Sequence, residues 1–163
     1  RANDQGTKAT AFFYPRILSH FEDMLKKHPK PASITFCWMQ GENDSKTGLH
    51  APYADALKQL IANLRRDLKR PDMNFVIGRI SDHDRINPPA WKVVRDAQVE
   101  TAKGDAHGAW IDCDDLNDKE VKGVKTNDLH YPKPGYELLG RRFVRQAKAL
   151  IEGKTPAENG RPE

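Results

Sequence analysis

Hydrophobic periodicity along this chain predicts an α/β domain built on a parallel sheet with right-handed crossovers. Two observations carry the prediction. Short β-rich apolar runs alternate three times with longer stretches whose apolar residues recur at helical spacing. The segments leaving the three runs are also long and polar, where a βα connection usually takes about 2–6 residues. A chain of 163 residues suits one domain, and at about 150 residues folding buries roughly 70% of the unfolded chain's surface. The domain is expected over residues 1–153, with residues 154–163, rich in Pro, Gly and charge, as a flexible tail.

Each element has its own signal. Ile17, Leu18, Phe21, Met24 and Leu25 predict a helix from Tyr14 to His28, with Pro15 suited to its first turn. Pro29 and Pro31 then precede an apolar run from Ser33 to Met39, read as a buried strand. Pro52 opens a helix carrying Leu57, Leu60, Ile61, Leu64 and Leu68 on one face, and Pro71 ends it. Met73 to Ile80 is the second strand. Trp91, Val94 and Val99 mark a helix from Ala90 to Lys103, with Gly104 fitted to its C-terminal cap. Gly108 to Cys113 is the third strand. Pro134 to Glu152 is the last helix, with Leu138, Leu139, Phe143, Ala147, Leu150 and Ile151 expected inward and Gly153 after it.

A formal charge of +4 and a pI near 9.1 raise nucleic acid as a partner. The basic residues, however, fall as Lys26-Lys27, Arg65-Arg66, Lys69-Arg70 and Arg141-Arg142 on the expected outer sides of helices. No aromatic residues interleave with them as on a single-strand-binding surface. They read as solvated faces, and nucleic acid is set aside. No apolar run approaches the ~20 residues of a membrane span, and mean hydropathy is -0.79. Cys37 and Cys113 fall in different strands. With the second strand between them they lie too far apart to be bridged and read as core thiols.

In a parallel α/β sheet, ligands bind outside the carboxyl ends of the strands. Residues 40–51, 81–89 and 114–133 emerge there. They bring Gln40, Glu42, Asn43 and Asp44 toward Ser81, Asp82, His83, Asp84 and Arg85, and toward Asp128 and His130. Gln40 offers neutral amide donors to a developing oxyanion, or else satisfies local backbone. Gly41 beside it permits close backbone approach. His130 can take a proton near neutral pH; the alternative is a surface residue packing on the next helix. Asn127 would share its side in a tight turn, Asp128 in an extended segment. His20, His28, His50 and His107 read as structural or solvated. Asp112-Cys113-Asp114-Asp115 lacks the spacing of a calcium loop and reads as the exit of the third strand.

Trp38-Met39-Gln40-Gly41-Glu42-Asn43-Asp44 resembles the W-x-Q-G-E-x-D block of the SGNH hydrolase superfamily, in the branch of sialate O-acetylesterase-like domains and carbohydrate acetyl esterases. Asp128-Leu129-His130-Tyr131, followed by Gly135-Tyr136 and Leu139-Gly140, is similar to that branch's final block. Arg95-Asp96-Ala97-Gln98 is similar to its R-x-A-Q stretch. The blocks come in the family's order over roughly residues 12–150.

The resemblance implies a three-layer, flavodoxin-like SGNH fold that lacks its N-terminal strand or strands. It also implies a serine esterase that removes acetyl groups from acetylated sugars, with no metal or organic cofactor and in a secreted or periplasmic setting. His130 would activate the serine, Asp128 or Asn127 would orient His130, and Gln40 would help form the oxyanion hole. Glu42, Asn43 and Arg85 would bind substrate, Glu42 also orienting its loop, and Arg85 with Trp91 would shape the sugar site. Two departures stand out. Ser19, Ser33, Ser45 and Ser81 all lack the family's G-x-S setting, so the nucleophile is expected upstream, on a segment that would partner this chain. Asn127 stands where the family's acid usually does, three residues before the histidine, and an amide cannot offset an imidazolium charge. The rival readings are a non-catalytic carbohydrate-binding domain that has shed its nucleophile, and a metal-dependent hydrolase using His83, Asp84 and His130.

Overall fold

A computed structural model describes residues 3–83 and 87–161, with side chains from Phe13 onward except at positions 120, 121 and 125–127. Its elements in order are α1 (Asn3–Lys27), β1 (Thr35–Trp38), α2 (Glu42–Thr47), α3 (Tyr53–Asp67), β2 (Asn74–Gly78), α4 (Pro88–Lys103), β3 (Gly108–Ile111), β4 (Asp118–Val121), β5 (Val124–Asn127) and α5 (Lys133–Ile151). The first three strands form a parallel sheet in the order β1-β2-β3, with Trp38 opposite Ile77 and Ile77 opposite Trp110. β4 and β5 form a separate antiparallel hairpin.

Side-chain alternation along β2 builds the layers. Phe75 and Ile77 face one way, into a core with Leu57, Ile61 and Leu64 of α3 and Trp91, Val94 and Ala97 of α4. Val76 faces the other way, with Ala109 and Ile111, toward Leu139, Phe143, Ala147 and Leu150 of α5. β2 is buried along its whole length, as the middle strand of a parallel sheet should be. It also separates Cys37 from Cys113, and both are free.

Several expectations need correction. α1 starts well before Tyr14, so Pro15 sits inside the helix and not in its first turn; residues 3–11, small or polar, carry no apolar stripe. Residues 42–47 are helical, too short a stretch to show a period. The loop between β3 and α5 contains the β4–β5 hairpin. Cys37 is exposed, because α5 covers β2 and β3 and leaves that face of β1 open. Leu138 and Ile151, expected inward, are 42% and 52% exposed, and Met24, read as part of the apolar stripe of α1, is 40% exposed. Arg142, expected outside, is 3% exposed, drawn under α5 by Asp115 at 2.7 and 2.6 Å and by the Asp112 carbonyl at 2.7 Å. Arg65 is likewise held against Asp105 at 2.6 Å.

Residues 154–161 fold back onto the body. The Asn159 carbonyl accepts the Asp112 N–H at 2.8 Å, so the segment caps the outer edge of β3. Gln146, fully buried, donates to the Ala157 carbonyl at 2.7 Å and accepts the Ala157 N–H at 3.0 Å. Arg161 pairs with Asp112 at 2.9 Å. Composition marked this stretch as a frayed end, but its backbone polar groups have specific partners. At the opposite edge, no described strand pairs with the outer side of β1. No helix among the described residues is long and apolar enough to cross a membrane.

Candidate active site

The three strand exits meet at one rim, linked by hydrogen bonds from two fully buried side chains, Gln98 and Asn117. After β1, the Gln40 carbonyl accepts from Tyr53 Oη at 2.5 Å and from Gln98 Nε2 at 2.9 Å. The Gln40 side chain donates from Nε2 to Asp44 Oδ2 at 2.5 Å, which commits one amide hydrogen; the other has no hydrogen-bond acceptor among the described residues. Gly41 follows at φ 153, where an added Cβ would lie 2.6 Å from Val94 Cγ1. Glu42 accepts the Gly41 N–H through Oε2 at 3.0 Å, while Asn43 is exposed on α2.

Beyond β2, α4 grips Ile80 from one face. Gln98 Oε1 accepts the Ile80 N–H at 2.9 Å, and Arg95, one turn earlier, donates to the Ile80 carbonyl at 2.5 Å. Arg95 also spans both oxygens of Asp114 at 2.8 and 2.7 Å. Trp91, expected at the sugar site, is 1% exposed and donates to the Ser81 carbonyl at 2.7 Å. It therefore supports the turn from beneath, with the His83 ring edge-on at 6.3 Å. Ser81 Oγ and His83 Nδ1 are buried without a hydrogen-bond partner among the described residues. Arg85 and Asp84 lie outside the described residues.

Beyond β3, Asn117 Nδ2 donates to Asp82 Oδ1 at 3.0 Å and to the Asp128 carbonyl at 2.8 Å. The Asp128 carboxylate is held by Lys119 Nζ at 2.8 Å and accepts the His130 backbone N–H at 3.1 Å. Lys119, with the main-chain donors behind it, holds the Asp128 carboxyl down at about 2. The His130 side chain is exposed, and no described residue hydrogen-bonds its ring. Only the backbone of Asn127 is described, in β5. Next in sequence, Tyr131 is 6% exposed; burial first, then Cys113, then Glu42 and Asp114, push its phenol far up.

Among the described residues, no group of three or more His, Cys, Asp or Glu side chains is placed to hold a metal. The arrangement offers an amide donor with one hydrogen not engaged by any described residue, an exposed imidazole and a carboxylate along one rim. Sequence reasoning missed Tyr53 and Asn117 as parts of it. Gln98 was visible only as one letter of the R-x-A-Q stretch, whose Arg95–Gln98 spacing puts both on one helix face.

Comparison with known proteins identifies the class. Residues 4–149 match the family of carbohydrate esterases described as sialic acid-specific acetylesterase, and the chain belongs to that family. A crystal structure of an Arabidopsis thaliana protein superimposes with a TM-score of 0.65 at 22% identity, over 86% of this chain and 52% of that one. The parallel sheet flanked by helices is thus the flavodoxin-like SGNH fold, and the chain spans about half the length of that solved protein. No curated protein matches.

Proposed function

We propose that this domain works in a serine-type esterase that removes O-acetyl groups from carbohydrates, with the serine supplied by a segment upstream of Arg1. The observation that carries the reading is the chain of contacts from Gln40 through Gln98 to Ile80, and from Asp82 through Asn117 to Asp128, which ties the amide and imidazole loops together. In the reaction, His130 takes the serine proton as the serine oxygen bonds to the acetyl carbon. The carbonyl electrons move to oxygen, and the second N–H of the Gln40 amide stabilises that oxyanion. Collapse expels the sugar alkoxide, which takes the proton from the imidazolium. Water then repeats the cycle on the acetyl-serine and releases acetate. Asp128 orients the imidazole only after turning from Lys119 and the His130 backbone; otherwise His130 works with Asn127 or as a dyad. Glu42, Asn43 and Arg85 would contact the sugar.

The commitment of Asp128 to Lys119 favours one other reading, a carbohydrate-binding domain without turnover. Acetate release from acetylated and deacetylated oligosaccharides by the complete protein, together with calorimetric titration of the same sugars, separates the two. Turnover confined to the acetylated sugars is expected. Saccharide affinity with no acetate released contradicts the esterase reading.

A further inference from the structure

The geometry points to Gln98 as the positioning residue that holds Gln40 in register with the reacting oxygen, an inference that rests on the oxyanion role given to Gln40 above. The paired register of β1 and β2 ends at Trp38 opposite Ile77. Just beyond, the strands part, and Gln98 from α4 fills the opening. Its Nε2 donates to the Gln40 carbonyl at 2.9 Å, and its Oε1 accepts the Ile80 N–H at 2.9 Å. It thus replaces a rung of the sheet with a side chain and sets how far the two exits separate. Its second amide hydrogen goes to Tyr53 Oη at 3.1 Å, and Tyr53 donates in turn to the same carbonyl. Burial outweighs the Trp38 and Gln98 contacts and raises the Tyr53 phenol, which keeps it a donor.

This amide has one workable orientation. Flipping it would set Oε1 against the Gln40 carbonyl and Nε2 against the Ile80 N–H, two repulsions at a site that is 0% exposed. Gly41, next along the chain, is buried close against α4, where an added Cβ would lie 2.6 Å from Val94 Cγ1. Asp44 fixes the far end of Gln40. Backbone and side chain of Gln40 are therefore clamped separately, as an oxyanion donor requires, because a displacement near 1 Å can cost about 10² in rate.

The test uses the complete enzyme. Gln98→Met keeps the volume and removes all three hydrogen bonds; kcat should fall about 10- to 100-fold with KM within about twofold. In a Gln40→Ala background the same change should cost almost nothing, because no donor remains to be positioned. Gln98→Glu keeps an acceptor for Ile80 but can donate to the Gln40 carbonyl only when protonated, so its rate relative to the unsubstituted enzyme should rise as pH falls. That arm decides the matter if Gln98→Met does not fold. An equal loss in both backgrounds, or a pH-independent Gln98→Glu ratio, overturns the inference alone. A Gln40→Ala enzyme with unchanged kcat overturns the oxyanion reading and this inference together.

Discussion

Gln40 and His130 are held in opposite ways. The Gln40 carbonyl and side chain are both tied to neighbours, while the imidazole stands exposed with no hydrogen-bond partner among the described residues. Gln40→Ala should therefore remove a pre-set donor and lower kcat by about 10²–10³, with little change in KM, in steady-state acetate release. Gly41 is set by packing as well as by φ. Gly41→Ala drives a methyl to 2.6 Å from Val94 Cγ1 and should cost about 1–3 kcal/mol in denaturant unfolding. The control is Gly140→Ala on α5, where nothing lies within 4 Å of the new methyl; it should stabilise by about 0.5–1 kcal/mol. Gln40 and His130 could be singled out from the chain because their side chains carry chemistry of their own. Gln98 and Asn117 were not, because their importance lies in burial between loops far apart in sequence, which no local pattern records.

Three helices could be read from their apolar stripes: α3, α4 and α5, expected from Pro52, Ala90 and Pro134, begin at Tyr53, Pro88 and Lys133. The β4–β5 hairpin had a weaker signal, a Lys-Gly pair. Lys122 and Gly123 take φ 52 and 78, the two positive angles that a tight hairpin turn demands; lysine seldom supplies the first. The contacts of the C-terminal segment could not be read from the chain because its partners, Asp112 and Gln146, are distant in sequence. Its anchoring is pH-dependent. Burial raises the Asp112 carboxyl, but the Asp114 N–H, Arg79 and Arg161 more than offset this and leave it below the ordinary carboxylate value. Arg142 lowers Asp115 in the same way, against burial. A depressed folded pKa stabilises fully above about pH 4 and less as pH falls below it. Arg161→Ala should therefore lower Tm at pH 7, and the gap from the unsubstituted chain should shrink below about pH 4 in a series of thermal melts.

The whole molecule is asymmetric. One edge of the sheet is capped by the C-terminal segment, and the other, along β1, has no described strand beside it. Cys37 lies at that open edge and Cys113 is fully buried, its thiol pushed up to about 12, chiefly by burial. Mass-spectrometric alkylation of residues 1–163 should label Cys37 and spare Cys113 until the chain unfolds. In a chain extended upstream, a strand docked on β1 should slow labelling at Cys37; an unchanged rate would count against that docking. The alternation of the three parallel strands with α3, α4 and α5 could be read from periodicity. The uncovered face of β1 could not, since it depends on how far α5 reaches across the sheet. The central claim is that the amide and the imidazole of this rim serve one reaction. It is tested most directly by kcat for acetate release from an acetylated oligosaccharide by the complete enzyme and by its His130→Ala variant. The account predicts a loss of at least about 10³ with the fold intact; a variant that turns over at the unsubstituted rate would contradict it.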